Sequence, residues 1–181
     1  NREWRAGAFA LALLVVGAII ALVARAPDDD RVVEQLAVTT VLPKPRPLPA
    51  FALTDHDGQP YDATRLNNNW DLVFFGFSNC AAICPTTLLI LSSVAQATEP
   101  PARVVFISVD PRRDTIERLR TYVQAFGDRV TGVSGADAQL TKIASALGVT
   151  YSVPDTDGDY MVEHSGAVFL VDPSGRYAGV V

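Results

Sequence analysis

The sequence has few of the residues that build metal clusters and covalent scaffolds. Its 181 residues include only two cysteines, Cys80 and Cys84, and two histidines, His56 and His164. Two cysteines exclude a disulfide-rich scaffold and leave one disulfide, one metal site or one redox pair. Two histidines exclude a histidine-rich metal cluster. Charged residues make up 19% of the chain and the net charge is −5, which argues against the basic surface of a nucleic-acid-binding protein.

Hydrophobic residues make up 49% of the chain, and the excess lies near the N-terminus, where residues 6–24 carry no charge. About twenty apolar residues span a bilayer as a helix, so we predict a single-pass membrane anchor in residues 1–26. Arginines precede the run and three aspartates follow it, which predicts export of everything after Pro27. A cleaved signal peptide is the alternative, but the run is longer than the usual apolar segment of such a peptide.

Residues 27–49 are predicted to be a tether. Proline occupies every second position from Pro43 to Pro49, which favours an extended, semi-rigid polyproline spacer. The globular domain is then expected to cover residues 50–181. Because the chain starts with Asn1 rather than methionine, we expect a few residues before it, and we also expect further chain after Val181.

The globular part alternates strand and helix patterns. Residues 71–78 and 103–110 are apolar runs typical of buried strands. Helical periodicity follows over residues 85–97, 114–126 and 136–147, and hairpin patterns lie at each end of the domain. This order predicts an α/β domain with a thioredoxin-like sheet and with the two cysteines directly after the first buried strand. That fold normally ends in a helix, which is why we expect the C-terminal end to be missing.

The two cysteines lie at the junction of a predicted strand and a predicted helix. Pro85 suits the first helical position, which places Cys84 at the N-cap, where the helix dipole stabilises a thiolate. Two neighbouring thiols can exchange a disulfide or bind a soft metal such as Cu(I). A disulfide that closes so small a ring adds little stability, so an inert structural bridge is disfavoured.

His164 is the predicted third member of the site. It directly precedes the apolar run 166–172, and in a thioredoxin-like sheet that loop lies next to the corner with the cysteines. A set of Cys80, Cys84 and His164 suits Cu(I) and also accepts Cu(II), whereas structural zinc usually needs a fourth protein ligand. Asp110 ends the second buried strand and is a candidate for supporting the site or contacting a partner.

Other residues are assigned ordinary roles. His56 is expected to be solvated in the turn Asp55–Gly58, and Met161 is expected in the core because it would face the opposite side of a strand from His164. The acidic segment 155–159 resembles the start of a calcium loop, but Gly166 stands where that loop needs a bidentate glutamate. A hairpin turn is therefore predicted there.

At this point three segments resemble the Sco/SenC copper chaperones of cytochrome c oxidase assembly over about residues 48–181: FFGFSNCAAICPTTL, ISVDPRRDT and VEHSGAVFLVDPSGR. The resemblance implies a thioredoxin-like fold that binds Cu(I) or Cu(II) through Cys80, Cys84 and His164. It also implies delivery of copper to the dinuclear copper site of oxidase subunit II, or reduction of the cysteines of that site. The family often has a Pro-Asp pair between the cysteines, whereas Ala81–Ile83 is apolar here, so an acidic side chain beside the metal is lost.

Three alternatives stay open beside a copper chaperone that works with oxidase subunit II and other assembly factors. A membrane-tethered thiol–disulfide reductase would use Cys80 and Cys84 as catalytic residues, but it usually has a shorter cysteine spacing and a proline where His164 and Ser165 stand. A peroxidase and a binding module with a stabilising disulfide are the others. Thirteen arginines against two lysines favour a bacterial inner-membrane protein with a periplasmic domain over one facing the mitochondrial intermembrane space.

Overall fold

The computed structural model describes residues 39–156 and 160–181. The predicted membrane anchor and the first part of the predicted tether lie outside the described residues. Within those two ranges, the model contains no helix with the length and apolar character needed to cross a bilayer.

The described chain contains short strands at both ends and strand–helix units between them. In chain order, the strands and helices are β1 (Thr40–Pro47), β2 (Leu53–Asp55), β3 (Pro60–Tyr61), a 3₁₀ helix (Ala63–Leu66), β4 (Asp71–Gly76), α1 (Ile83–Ala97), β5 (Arg103–Ser108), α2 (Ile116–Gln124), β6 (Val130–Ser134), α3 (Asp137–Leu147), β7 (Tyr151–Ser152), β8 (Glu163–His164), β9 (Val168–Val171) and β10 (Arg176–Val180).

Eight of these strands form one mixed sheet in the order β1-β10-β9-β4-β5-β6-β2-β3. The three central strands β4, β5 and β6 are parallel, and β9 pairs antiparallel with β4. Strands β7 and β8 form a separate two-stranded antiparallel sheet. The loops that follow β4 and β5 therefore leave the sheet at the same edge, which is where ligand sites form in sheets of this kind.

Helices cover both faces of the sheet, which explains why the central strands are apolar without alternation. In β4, Val73 and Phe75 belong to the core that includes α3. Phe74 faces the other way and packs with Phe106 of β5 in the core that includes α1 and α2. The predicted strands and helices of the central part of the domain are thus confirmed, with boundaries that differ by a few residues.

Two helix ends show how the local sequence sets the boundaries. The Thr115 side chain caps α2 by accepting a hydrogen bond from the backbone N–H of Arg118. Helix α3 ends, as predicted, at Gly148, whose φ of 77° suits glycine. Helix α1 differs from the prediction because it begins at Ile83, two residues before Pro85. Proline is tolerated at this third position because the first four N–H groups of a helix have no partner within it.

The predicted polyproline spacer is the main error in the fold. Residues Thr40–Pro47 form the edge strand β1, which pairs antiparallel with β10. The register between these strands shifts between Val41 and Arg46. Prolines at alternate positions fit an edge strand because the side that lacks N–H donors can face away from the sheet. The proposed tether therefore ends before Thr40.

Candidate metal centre

The buried part of the site is the corner between β4 and α1. Cys84 occupies the second position of α1 and is fully buried. A Cβ atom on Gly76 would lie 3.0 Å from the Cys84 Sγ and 2.7 Å from a ring carbon of Phe106. Glycine at the end of β4 therefore makes room for the sulfur between the strand and the helix.

Cys80 lies in the loop between β4 and α1 and is partly exposed. Its Sγ accepts a hydrogen bond from the backbone N–H of Cys84, with a sulfur–nitrogen distance of 3.4 Å. Both cysteines are free thiols in the structure. The Cys80 sulfur thus faces the N-terminus of α1, while the buried Cys84 sulfur lies beneath it.

The two thiols differ in acidity, and the difference corrects the prediction that Cys84 is the dipole-stabilised thiolate. Burial raises the pKa of Cys84 to about 12, and its hydrogen bond to Cys80 acts in the same direction. Partial burial opposes ionisation of Cys80. Its pKa is nevertheless lowered because the Cys84 thiol and the N–H groups of Cys84, Ala82 and Ile83 donate to its sulfur. The helix N-terminus therefore stabilises the thiolate of Cys80.

His164 reaches the corner from strand β8. Its Nε2 atom lies 3.6 Å from the Cys84 Sγ, and its Nδ1 lies 3.0 Å from the carbonyl oxygen of Ser165. A carbonyl oxygen can only accept a hydrogen bond, so Nδ1 carries a proton and donates it to this oxygen, while Nε2 faces the sulfur. The rings of Phe74 and Phe77 pack edge-on against the imidazole at centroid distances of 6.1 and 6.0 Å.

The structure thus brings Cys80, Cys84 and His164 together, although the three are not in the geometry of a bound ion. Within residues 39–156 and 160–181, no three histidine, cysteine, aspartate or glutamate side chains already form a metal-binding group. The Cys80 sulfur is engaged by helix N–H groups, so a three-ligand site requires this side chain to turn toward the other two.

A buried carboxylate that the sequence analysis overlooked holds the cysteine loop. Asp114 accepts hydrogen bonds from the backbone N–H of Ser78 at 2.9 Å and from the Ser78 hydroxyl. The Arg118 guanidinium donates to the Ser78 hydroxyl at 2.9 Å and to the Asn79 side chain at 3.1 Å. The signal was present in the segment 107–115, where a second aspartate follows Asp110, but its burial was not evident from the sequence.

Asp110 supports the hairpin that carries His164. It is fully buried and accepts hydrogen bonds from the Arg113 guanidinium at 2.5 Å and from the Tyr160 hydroxyl at 2.7 Å. The Arg113 guanidinium also stacks on the Tyr160 ring, 3.6 Å from its centroid, and lies 5.7 Å from that of Phe77. Of the two roles suggested for Asp110, this placement favours support of the site over direct contact with a partner.

The structure contradicts the predictions for His56 and Met161 and confirms the predicted hairpin. His56 is half-buried rather than solvated, because its Nδ1 accepts a hydrogen bond from the backbone N–H of Gly132 at 3.2 Å. Met161 is 65% exposed and not in the core, since it precedes β8 instead of lying within it. The hairpin predicted around the acidic segment is confirmed by the pairing of β7 with β8, and residues 157–159 lie outside the described residues.

The comparisons with known proteins decide the family. A family model described as SCO1/SenC matches residues 41–181. The chain belongs to the SCO1/SenC family. The described part of this SCO1/SenC chain has the α/β fold of solved Sco structures, so the thioredoxin-like fold class is confirmed. The crystal structure of Arabidopsis thaliana ScoI with copper bound shares 30% identity and superposes with a TM-score of 0.68, covering 74% of this chain and 86% of that chain.

Two relatives show how far the likeness extends along the SCO1/SenC chain. A Stutzerimonas stutzeri protein whose name describes it as copper-binding is 35% identical to this chain. The match covers 92% of this chain and 84% of that protein. The mitochondrial SCO2 homologue of Bos taurus is 37% identical over 70% of this chain. The chain covers 50% of the length of that mitochondrial relative.

Proposed function

We propose that the chain is a copper chaperone that binds one copper ion through Cys80, Cys84 and His164. The observation that carries the proposal is the 3.6 Å separation of the Cys84 Sγ and the His164 Nε2 beneath a second sulfur, that of Cys80. Two thiolates and an imidazole are soft ligands that suit Cu(I) and also hold Cu(II). The copper-bound ScoI of Arabidopsis thaliana, with the same fold, supports copper as the cargo.

The difference in exposure between the ligands gives copper transfer a direction. Cys84 and His164 are held by packed neighbours, whereas Cys80 is partly exposed in a loop. An incoming ligand from an acceptor protein can therefore replace Cys80 first, while Cys84 and His164 still hold the ion. Exchange of this kind avoids release of free copper.

The proposed acceptor is the dinuclear copper site of cytochrome c oxidase subunit II, which the family resemblance implies. We further propose that residues 1–26 anchor the chain in the bacterial inner membrane and that the copper-binding domain lies in the periplasm. The length and apolar character of residues 6–24 support an anchor. The bacterial relative, which matches over 92% of the chain, supports a bacterial setting.

A second candidate function, thiol–disulfide reduction, is favoured by the unequal acidity of the two thiols. The Cys80 thiolate would attack a substrate disulfide and form a mixed disulfide, releasing one substrate thiolate. Cys84 would then lose its proton to a base, for which the Nε2 of His164, 3.6 Å from its sulfur, is the proposed candidate. Its sulfur would attack Cys80 and release the second substrate thiolate, which leaves a Cys80–Cys84 disulfide that an external thiol must reduce.

Copper titration of the reduced chain separates these two functions. We expect the wild-type chain to retain one equivalent of Cu(I) against a competing chelator and to show a thiolate-to-Cu(II) charge-transfer band with Cu(II). Cys84→Ser and His164→Ala should weaken both signals. His56→Ala is the matched control, because His56 is the other histidine of the chain and its Nδ1 bonds to the backbone of Gly132 in β6.

Failure of the reduced wild-type chain to retain copper would reject the chaperone proposal. Thiol–disulfide exchange would then be the function to test, with a small disulfide as the substrate. Weakening of copper binding by His56→Ala to the same extent as by His164→Ala would show that the site has been assigned to the wrong residues.

A further inference from the structure

The outer face of α1 is uncharged and rich in apolar side chains although it is exposed to solvent, with Thr86, Ser93 and Gln96 as its exposed polar residues. Four of its side chains, those of Ile83, Leu89, Ile90 and Val94, are between 45% and 67% exposed. The whole segment 72–98 contains no charged residue, whereas solvent-facing helices normally carry charges on that side. Exposed apolar patches of this kind mark interaction surfaces.

This face connects two features of the domain. At its N-terminal end are Cys80 and the exposed, apolar residues Ala81–Ile83. At its C-terminal end, Val94 lines a cleft of about 370 Å³ together with Trp70, Leu72 and Leu170. A helix of fifteen residues is roughly 22 Å long. The apolar surface therefore runs from the exposed ligand to a cleft that can take an apolar side chain.

We propose that the outer face of α1 is the docking surface for the protein that exchanges copper with Cys80. This inference rests on the proposed function, because ligand exchange requires the partner to cover Cys80 and thus also its neighbours Ala81–Ile83. The partner is expected to present an uncharged, apolar surface beside its own copper ligands, with one apolar side chain for the cleft. A narrow surface on a single helix suits the weak, transient complex that transfer needs.

The same observations favour a protein over a membrane surface as the occupant. Helices that lie on membranes carry lysine and arginine for the lipid phosphates, and α1 has none. Glu99 lines the cleft, where it would repel an anionic headgroup. A second copy of the chain is also disfavoured, since two copies meeting on α1 would cover each other's Cys80 and exclude an acceptor.

The test compares an apolar residue of the proposed surface with an exposed residue on the opposite face of the sheet. Ile90→Gln alters the middle of the proposed surface, and Ser145→Gln alters an exposed position of α3, which packs on the other face of the sheet. The full chain is held in lipid nanodiscs, and the probe is the copper-binding domain of oxidase subunit II. We expect Ile90→Gln to weaken binding of the probe roughly tenfold and Ser145→Gln to leave it unchanged, with unaltered circular dichroism in both variants.

Competition with a chelator for Cu(I) keeps this test separate from the test of copper binding. If Ile90→Gln binds both copper and the probe as the wild type does, or if the wild type binds copper but not the probe, the docking surface is rejected and copper binding stands. If the wild-type chain retains no copper, the proposed function is rejected instead, and the docking proposal is rejected with it.

Hydrogen–deuterium exchange in residues 83–97 identifies the occupant. Protection that requires the subunit II domain supports the proposal. Protection in nanodiscs without the probe would assign the surface to the membrane, and protection that grows with the concentration of the chain would assign it to a second copy. Either of these two results would overturn the proposal.

Discussion

The two halves of the candidate site are held by different kinds of structure. Cys80 and Cys84 belong to the β4–α1 corner, where the main sheet and the helix share one hydrophobic core. His164 lies on a pair of two-residue strands outside that sheet. This hairpin is held largely through side chains, among which the buried Asp110–Arg113 pair is central.

The difference indicates how each half can fail. The corner depends on shape, because its sulfur fits a space that a glycine leaves open. The hairpin depends on charge and hydrogen bonding. Substitutions in the corner should therefore weaken packing and copper binding together. A substitution in the hairpin that leaves a charge unpaired should lower stability, and removing that charge should restore the stability.

The largest expected effect is that of Arg113→Met, which leaves the fully buried Asp110 without its ion-pair partner. Removing one member of a buried pair costs about 3–5 kcal/mol of the free energy of unfolding. Chemical denaturation of the copper-free chain measures this loss.

The double variant Asp110→Asn with Arg113→Met tests whether the loss comes from the unpaired charge. We expect it to recover most of the stability while Cu(I) binding stays about 10–100-fold weaker, since His164 loses its support. Wild-type copper affinity in a stable double variant would show that the hairpin positions His164 without this pair.

The next largest effect is the pH dependence of copper binding, which tests the protonation state of Cys84 in the β4–α1 corner. The pKa of Cys84 is raised to about 12, so its thiol is protonated near neutral pH and Cu(I) must displace that proton. Affinity should therefore rise by at least about tenfold per pH unit between pH 7 and 9, because at least the Cys84 proton is displaced. Competition with a chelator, corrected for the protonation of the chelator, measures the slope. A flat profile would mean that Cys84 is already a thiolate in the copper-free chain.

A smaller loss is expected from Gly76→Ala in the corner. The new methyl group would meet the Cys84 Sγ and the Phe106 ring, and overpacking of this kind costs about 1–3 kcal/mol. Thermal unfolding and Cu(I) competition should both show the change. Gly166→Ala is the control, because nothing lies within 4 Å of its added Cβ. Equal stability of the two variants would contradict the close fit of the sulfur.

The smallest effect is expected from Tyr160→Phe in the hairpin. The variant loses the 2.7 Å hydrogen bond to Asp110 but keeps the ring on which Arg113 stacks. The free energy of unfolding should fall by about 1 kcal/mol, with nearly unchanged copper affinity. A loss as large as that of Arg113→Met would show that the hydroxyl contributes as much as the guanidinium to satisfying the Asp110 carboxylate.

The central strands and helices could be predicted because their sequence signals agree with their surroundings. Runs such as residues 71–78 are long, apolar and covered on both faces, and Gly148 ends α3 at the predicted position. The edge strand β1 could not be predicted, because prolines at alternate positions are equally compatible with a polyproline spacer and with the edge strand of a sheet. Only the partner strand β10, more than 120 residues away in the sequence, decides between them.

The candidate site shows the same division. The meeting of His164 with the cysteines follows from the order of strands in a thioredoxin-like sheet. The acidity of the two thiols does not, because it depends on a helix that starts at Ile83 instead of Pro85. The supporting residues Asp114 and Arg113 were also missed, since charged residues are usually exposed and their burial is set by the tertiary structure.

The five residues from Asp110 to Asp114 touch both halves of the site. Asp114 holds the loop that carries Cys80, and Asp110 with Arg113 holds the hairpin that carries His164. The two halves are therefore energetically coupled through this loop, and such coupling is reciprocal. If a partner that binds this loop raises the affinity for copper by some factor, copper binding raises the affinity for that partner by the same factor.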